Sequence, residues 1–138
     1  LKPGGRLTFV CWRPAAENAW MSVTLEAARP LLPPLPETDP TAPGPFAFAD
    51  SGRVAGILEV AGFTSVKFSP FDMLVGSGDL AQTLALTLRV GPLSRALREH
   101  PQCRDATPGV VREALSAYVT DQGVVMPAAI WIVTAVAG

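Results

Sequence analysis

The chain has 138 residues, 49% of them hydrophobic and 17% charged, with a formal net charge of −1. That length suits one domain, able to bury about two-thirds of the surface its unfolded chain exposes. Basic residues are scattered singly and every apolar run falls short of the roughly 18–20 residues of a membrane span, so neither nucleic acid nor a membrane is expected as a partner.

The opening stretch, Leu1-Lys2-Pro3-Gly4-Gly5-Arg6-Leu7, followed by Thr8 to Trp12, organises what comes after. Pro3 presets φ and the two glycines accept positive φ, so a tight turn launches the chain at low steric cost. Leu7 to Trp12 is then almost uninterrupted in its apolar character. That pattern predicts a strand buried on both faces in a parallel or mixed α/β sheet. With such a strand at its head, the chain reads as cut just ahead of an inner strand of a larger domain.

Arg13-Pro14 ends the strand. Residues 15–29 have helical character, with Asn18 as a possible cap and Trp20, Val23, Thr24 and Ala27 at helical spacing. Pro30 stops that helix. A proline-dense connector follows, containing Pro33, Pro34, Pro36, Pro40 and Pro43, which is expected to be extended or turn-like. It closes on Pro45-Phe46-Ala47-Phe48, and two aromatics there predict that it packs back over a pocket or a core edge. Residues 13–49 therefore form one helix-plus-connector segment.

Asp50-Ser51 announces a second helix, with Val54, Ile57, Leu58 and Ala61 on one face. Gly62 stands where a C′ glycine would end it, and Phe63 supplies the accompanying apolar contact. Val66, Phe68, Phe71, Met73 and Val75 then mark a strand that Pro70 assigns to an edge or bulges. Asp79 caps a helix striped by Leu80, Leu84 and Leu88. Gly91-Pro92 breaks it, a short helix runs to His100, and Thr107-Pro108 starts another, faced by Val111, Ala114, Leu115 and Tyr118. Residues 79–120 are thus a helical insertion, and a last strand is centred on 128–137. Strands alternating with helices indicate an α/β fold.

These residues resemble a known family. Leu1-Lys2-Pro3-Gly4-Gly5-Arg6-Leu7 is similar to the L-K-P-G-G-x-L segment that leads into the fifth strand of class I S-adenosylmethionine-dependent methyltransferases. Ile57-Leu58-Glu59-Val60-Ala61-Gly62-Phe63 with Thr64-Ser65-Val66 resembles the helix, Gly-Phe and sixth strand of that family. Ala129-Ile130-Trp131-Ile132-Val133-Thr134-Ala135 resembles its seventh, antiparallel strand. The resemblance implies the C-terminal half of a Rossmann-like methyltransferase fold, with three mixed strands, helices and a helical insertion. It implies an enzyme using S-adenosylmethionine on a small-molecule acceptor, with this chain supplying the acceptor side and inactive alone. The family's cofactor-binding residues, the Gly-rich loop and the acid for the ribose hydroxyls, have no counterpart here.

Within that frame Trp12 and Arg13 fall at the carboxyl end of the first strand, the edge where open α/β sheets place ligands. Trp20, Phe46 and Phe48 follow on the connector. The five are candidate substrate-binding residues, with ordinary core packing as the alternative for each. No catalytic base is assigned. His100 reads as a helix-end residue complementing the dipole, and the lack of a second histidine or a cysteine pair argues against a metal. Gly76-Ser77-Gly78 lacks the third glycine of a nucleotide loop and reads as a turn. Cys11 and Cys103 read as free thiols of a reducing, cytoplasmic compartment. A different class of function is also open: a non-catalytic module whose apolar first strand, exposed as an edge, pairs with a second copy or with a separate N-terminal half.

Overall fold

A computed structural model describes residues 1–35, 39 and 42–138; Pro36 and Pro40 of the connector lie outside them. The described chain is mixed α/β, with an antiparallel sheet of four strands and five α-helices. The strands are β1 (Arg6–Trp12), β2 (Phe63–Gly76), β3 (Val119–Thr120) and β4 (Gly123–Ala137). The helices are α1 (Ala19–Ala28), α2 (Ser51–Val60), α3 (Leu80–Thr87), α4 (Pro92–Glu99) and α5 (Thr107–Ser116). The residues divide into two compact units, one of Leu1–Glu17, Thr38–Met73 and Ala129–Gly138, the other of Asn18–Glu37 and Leu74–Ala128.

The first unit is a sheet covered on one face by α2. Its strand order is β1-β4-β2, with β4 in the middle. β1 runs antiparallel to β4 from Arg6↔Val136 to Trp12↔Ile130. β2 meets the far end of β4 through Gly138 N–H to the Gly62 carbonyl (2.9 Å) and Thr64 Oγ1 to the Val136 carbonyl (3.4 Å). Asp50 caps α2 by accepting from Arg53 N–H at 3.0 Å, and Gly62 at φ +85° ends it, both where the sequence expects them. Val54 and Leu58 of α2 pack on Val133 and Ala135 of β4, with Leu7, Phe9, Val66 and Phe68 around them.

β1 differs from its expected character. It alternates, with Leu7, Phe9 and Cys11 toward α2, while Val10 on the other face is 61% exposed. It is an end strand, not an inner one, and it pairs antiparallel with β4, as β3 does. The inner strand is β4, because it alone has neighbours on both sides. Apolar composition suits a strand to burial, but partners on each edge confer the inner position. β2 passes through Pro70 unbroken as the other end strand, where a missing N–H is tolerated, and its irregular residue is Ser65 at φ +52°.

The second unit is helical. α1 packs on α4 and α5, and α3 on α5, around Leu93, Leu97, Val111, Leu115 and Val124. The stripe of Leu80, Leu84 and Leu88 lies against that core, as its spacing predicts. α1 shares its unit with the helices of residues 79–120 and with the start of the connector, where Leu32 and Leu35 join the same core. Two local expectations are revised. Residues 15–17 form a separate 3-10 turn before α1. Thr107 is inside α5 rather than its cap; its hydroxyl donates to the Cys103 carbonyl at 2.7 Å and satisfies a buried acceptor instead. Cys103, in the stretch between the helix that runs to His100 and Thr107, is buried in a 3-10 turn, its Sγ 3.1 Å from the Leu31 carbonyl. Tyr118 sits just before a β3–β4 hairpin, half-buried against the core.

Candidate functional site

A cavity of about 460 Å³ lies in the first unit. One wall is sheet: Val10, Cys11 and Trp12 of β1, Met73 of β2 and Ile130 of β4. The register explains part of this wall, because Trp12 sits opposite Ile130 across the β1–β4 ladder and opposed residues share a face. The second wall is the end of the connector, with Gly44, Pro45, Ala47 and Phe48. Its size is that of small-molecule sites; the lining is mostly apolar and the space opens to solvent beside Val10 and Phe48, both exposed.

The connector wall is held by three side chains that reach three successive carbonyls. Arg53 Nη1 donates to Ala47 O at 2.7 Å, Cys11 Sγ to Phe48 O at 3.4 Å, and Trp131 Nε1 to Ala49 O at 3.0 Å. These donors come from α2, β1 and β4, so the fold of the unit sets the path of a segment that has no ladder of its own. The Phe48 ring also meets Phe9 at 6.4 Å between centroids and lies 6.0 Å from the Arg53 guanidinium carbon. Burial pushes the Cys11 thiol pKa up, which keeps it protonated and a donor near neutrality.

Arg13 is engaged beside this cavity rather than in its lining. Its guanidinium pairs with Glu17, contacts Asp72 Oδ1 at 2.6 Å and lies 5.2 Å from the centre of the Trp131 ring. Asp72 is 82% exposed, whereas the Arg13 side chain is only 17% exposed. Of the five candidates, the structure brings Trp12 and Phe48 to one cavity. Phe46 is half-buried in the same turn without being part of that lining. Trp20 belongs to the second unit, half-buried against its core, with Nε1 donating to the buried Asn18 Oδ1 at 3.1 Å. Met73 and Ile130 were not singled out by sequence, though their place on alternating strands near Trp12 was the available signal.

Other candidates resolve simply. Gly76-Ser77-Gly78 leads into a capping box in which Asp79 Oδ1 accepts from Gln82 N–H and Gln82 Oε1 accepts from Asp79 N–H. His100 is the residue that ends α4. Among the described residues there is no group of three or more potential metal ligands, and no helix is long and apolar enough to cross a membrane. Both cysteines are free thiols. No protein-family profile matches the chain, and no curated protein is similar to it in sequence.

Proposed function

We propose that this chain is part of a methyltransferase that uses S-adenosylmethionine, and that its residues form the small-molecule acceptor side of the site. The strand order supports the reading best. β4, last in the chain, lies between β1 and β2 and runs against β1, and α2 leads directly into β2. An antiparallel last strand is what the resemblance implies for β4, and its place between β1 and β2 suits β1, β2 and β4 as counterparts of the family's fifth, sixth and seventh strands. The cavity at the Trp12 end of β1 supports the acceptor assignment, since ligands of open α/β sheets gather at the carboxyl ends of strands.

The cavity does not fit S-adenosylmethionine itself. Ribose hydroxyls and a charged amino-acid end need carboxylate and polar backbone partners, and among the described residues no charged side chain lines this space. No step of transfer is therefore assigned to these residues; their role is to hold and orient an acceptor and to exclude water from it. Calorimetric titration of S-adenosylhomocysteine tests the division of labour. Weak or absent binding by the 138 residues is expected, and micromolar binding by them alone overturns it. Reading the gene ahead of Leu1 tests the family: a strand followed by a Gly-x-Gly-x-Gly turn is expected.

A second reading rests on β1 as an end strand with Val10 exposed. Such a strand is a template for pairing, so the chain would act as a non-catalytic association module. A start codon immediately before Leu1 together with a sedimenting dimer favours this reading, and a monodisperse monomer counts against it.

A further inference from the structure

We infer that the first-unit cavity takes an uncharged aromatic molecule and discriminates against its carboxylate counterpart. The inference rests on reading this cavity as the acceptor side of the site and adds the chemical class of the acceptor. Two aromatic rings, Trp12 and Phe48, line the space together with Val10, Met73 and Ile130. Aromatic faces and a thioether favour a flat apolar guest, because ring–ring and sulfur–ring contacts add to the burial of area. Of the polar groups in the lining, the Cys11 S–H is directed to Phe48 O, 3.4 Å away.

Among the described residues, no charged side chain lines the space to pair with a negatively charged guest. Arg13 and Arg53, the arginines described beside the cavity, are committed elsewhere. Arg53 donates to Ala47 O and lies against the Phe48 ring, while Arg13 is paired with Glu17 and Asp72. Drawing either away would leave a carbonyl or two carboxylates without its cation. Burying an unpaired carboxylate is costly, whereas a neutral ring carrying a single hydroxyl gives up far less hydration on entry. The walls thus select by charge as well as by shape.

The three methionines make the test specific, because Met73 lines the cavity while Met21 and Met126 lie in the other unit. The chain is labelled with 13C at its methionine methyls and titrated with 2-naphthol and, separately, with 2-naphthoate. The expected result is a saturating shift of the Met73 methyl with 2-naphthol, Met21 and Met126 unmoved, and affinity for 2-naphthoate about tenfold or more weaker. Val10→Lys, at an exposed position of the rim, is expected to fold and to reverse that preference. Equal or tighter binding of 2-naphthoate by the unaltered chain overturns the inference, as does a Met73 signal silent to both compounds or an unchanged preference in Val10→Lys. Because the readout is binding without methyl transfer, it fails independently of the titration with S-adenosylhomocysteine.

Discussion

The indole N–H of Trp131 reaches the carbonyl of Ala49 at 3.0 Å, joining the middle strand of the sheet to a connector residue 82 positions away in sequence. The same indole lies under Arg13 and meets Phe68 edge-on, with ring centroids 6.0 Å apart and planes at 83°. One side chain therefore helps to set the cavity wall, the ion-pair cluster and the packing of β2 against β4. Trp131→Phe keeps most of the ring contact and removes the donor. It is expected to cost about 1 kcal/mol in urea unfolding. It should also weaken 2-naphthol binding, because the 47–49 segment loses one of its three ties.

Arg13 and Asp72 separate the value of an ion pair from that of a packed guanidinium. Asp72 is 82% exposed, and pairs of that kind contribute about 0–1 kcal/mol. Asp72→Ala is therefore expected to shift the urea midpoint little. Arg13→Ala also removes the cation over Trp131 and the packing of the aliphatic stem, and should cost visibly more. Equal midpoints for the two variants would mean that the contact with Trp131 contributes nothing measurable.

Cys11 carries a pH signature. Burial raises its pKa, so the folded state holds the thiol proton more tightly than the unfolded state does. The stability tied to that proton is intact below the ordinary thiol pKa and is lost as pH rises through the unfolded and then the folded value. Alkylation by iodoacetamide, followed by peptide mass mapping, should be slower at Cys11 than in a free cysteine at pH 8 and should still be climbing at pH 9. A rate that has levelled off by pH 8 would contradict the burial effect.

Gly123 is required by the β3–β4 turn. Its φ is +103°, and a Cβ there would lie 2.5 Å from the Gly78 carbonyl oxygen. That same carbonyl accepts the Val124 N–H at 2.8 Å, so it is not free to move away. Gly123→Ala is expected to destabilise the chain by more than about 1 kcal/mol, read as a lowered thermal midpoint. Gly56 has open space around it in α2, and Gly56→Ala should be neutral or stabilising by comparison.

Local chemistry made much of this protein legible in advance. Asp50 and Asp79 as caps, Gly62 as a helix stop and the leucine stripe of α3 each follow from interactions within a few residues, and each stands where expected. The return of the connector's aromatic end onto the sheet was readable too, although Phe48, in contact with Phe9, stays 41% exposed. What the residues could not decide was which apolar strand has neighbours on both sides. Leu7–Trp12 and 128–137 look alike in composition, yet only β4 is paired along both edges, and β1 stands at the end with Val10 exposed. Likewise, local pattern assigns Trp12 to a strand and Trp20 to a helix, but not which of them faces a cavity. The tertiary structure separates them: the pairing of β1 with β4 sets Trp12 opposite Ile130 at a cavity, while α1 carries Trp20 against α4 and α5 in the other unit. Caps and stripes depend on neighbours in sequence, whereas edges, registers and cavities depend on neighbours that arrive from far along the chain.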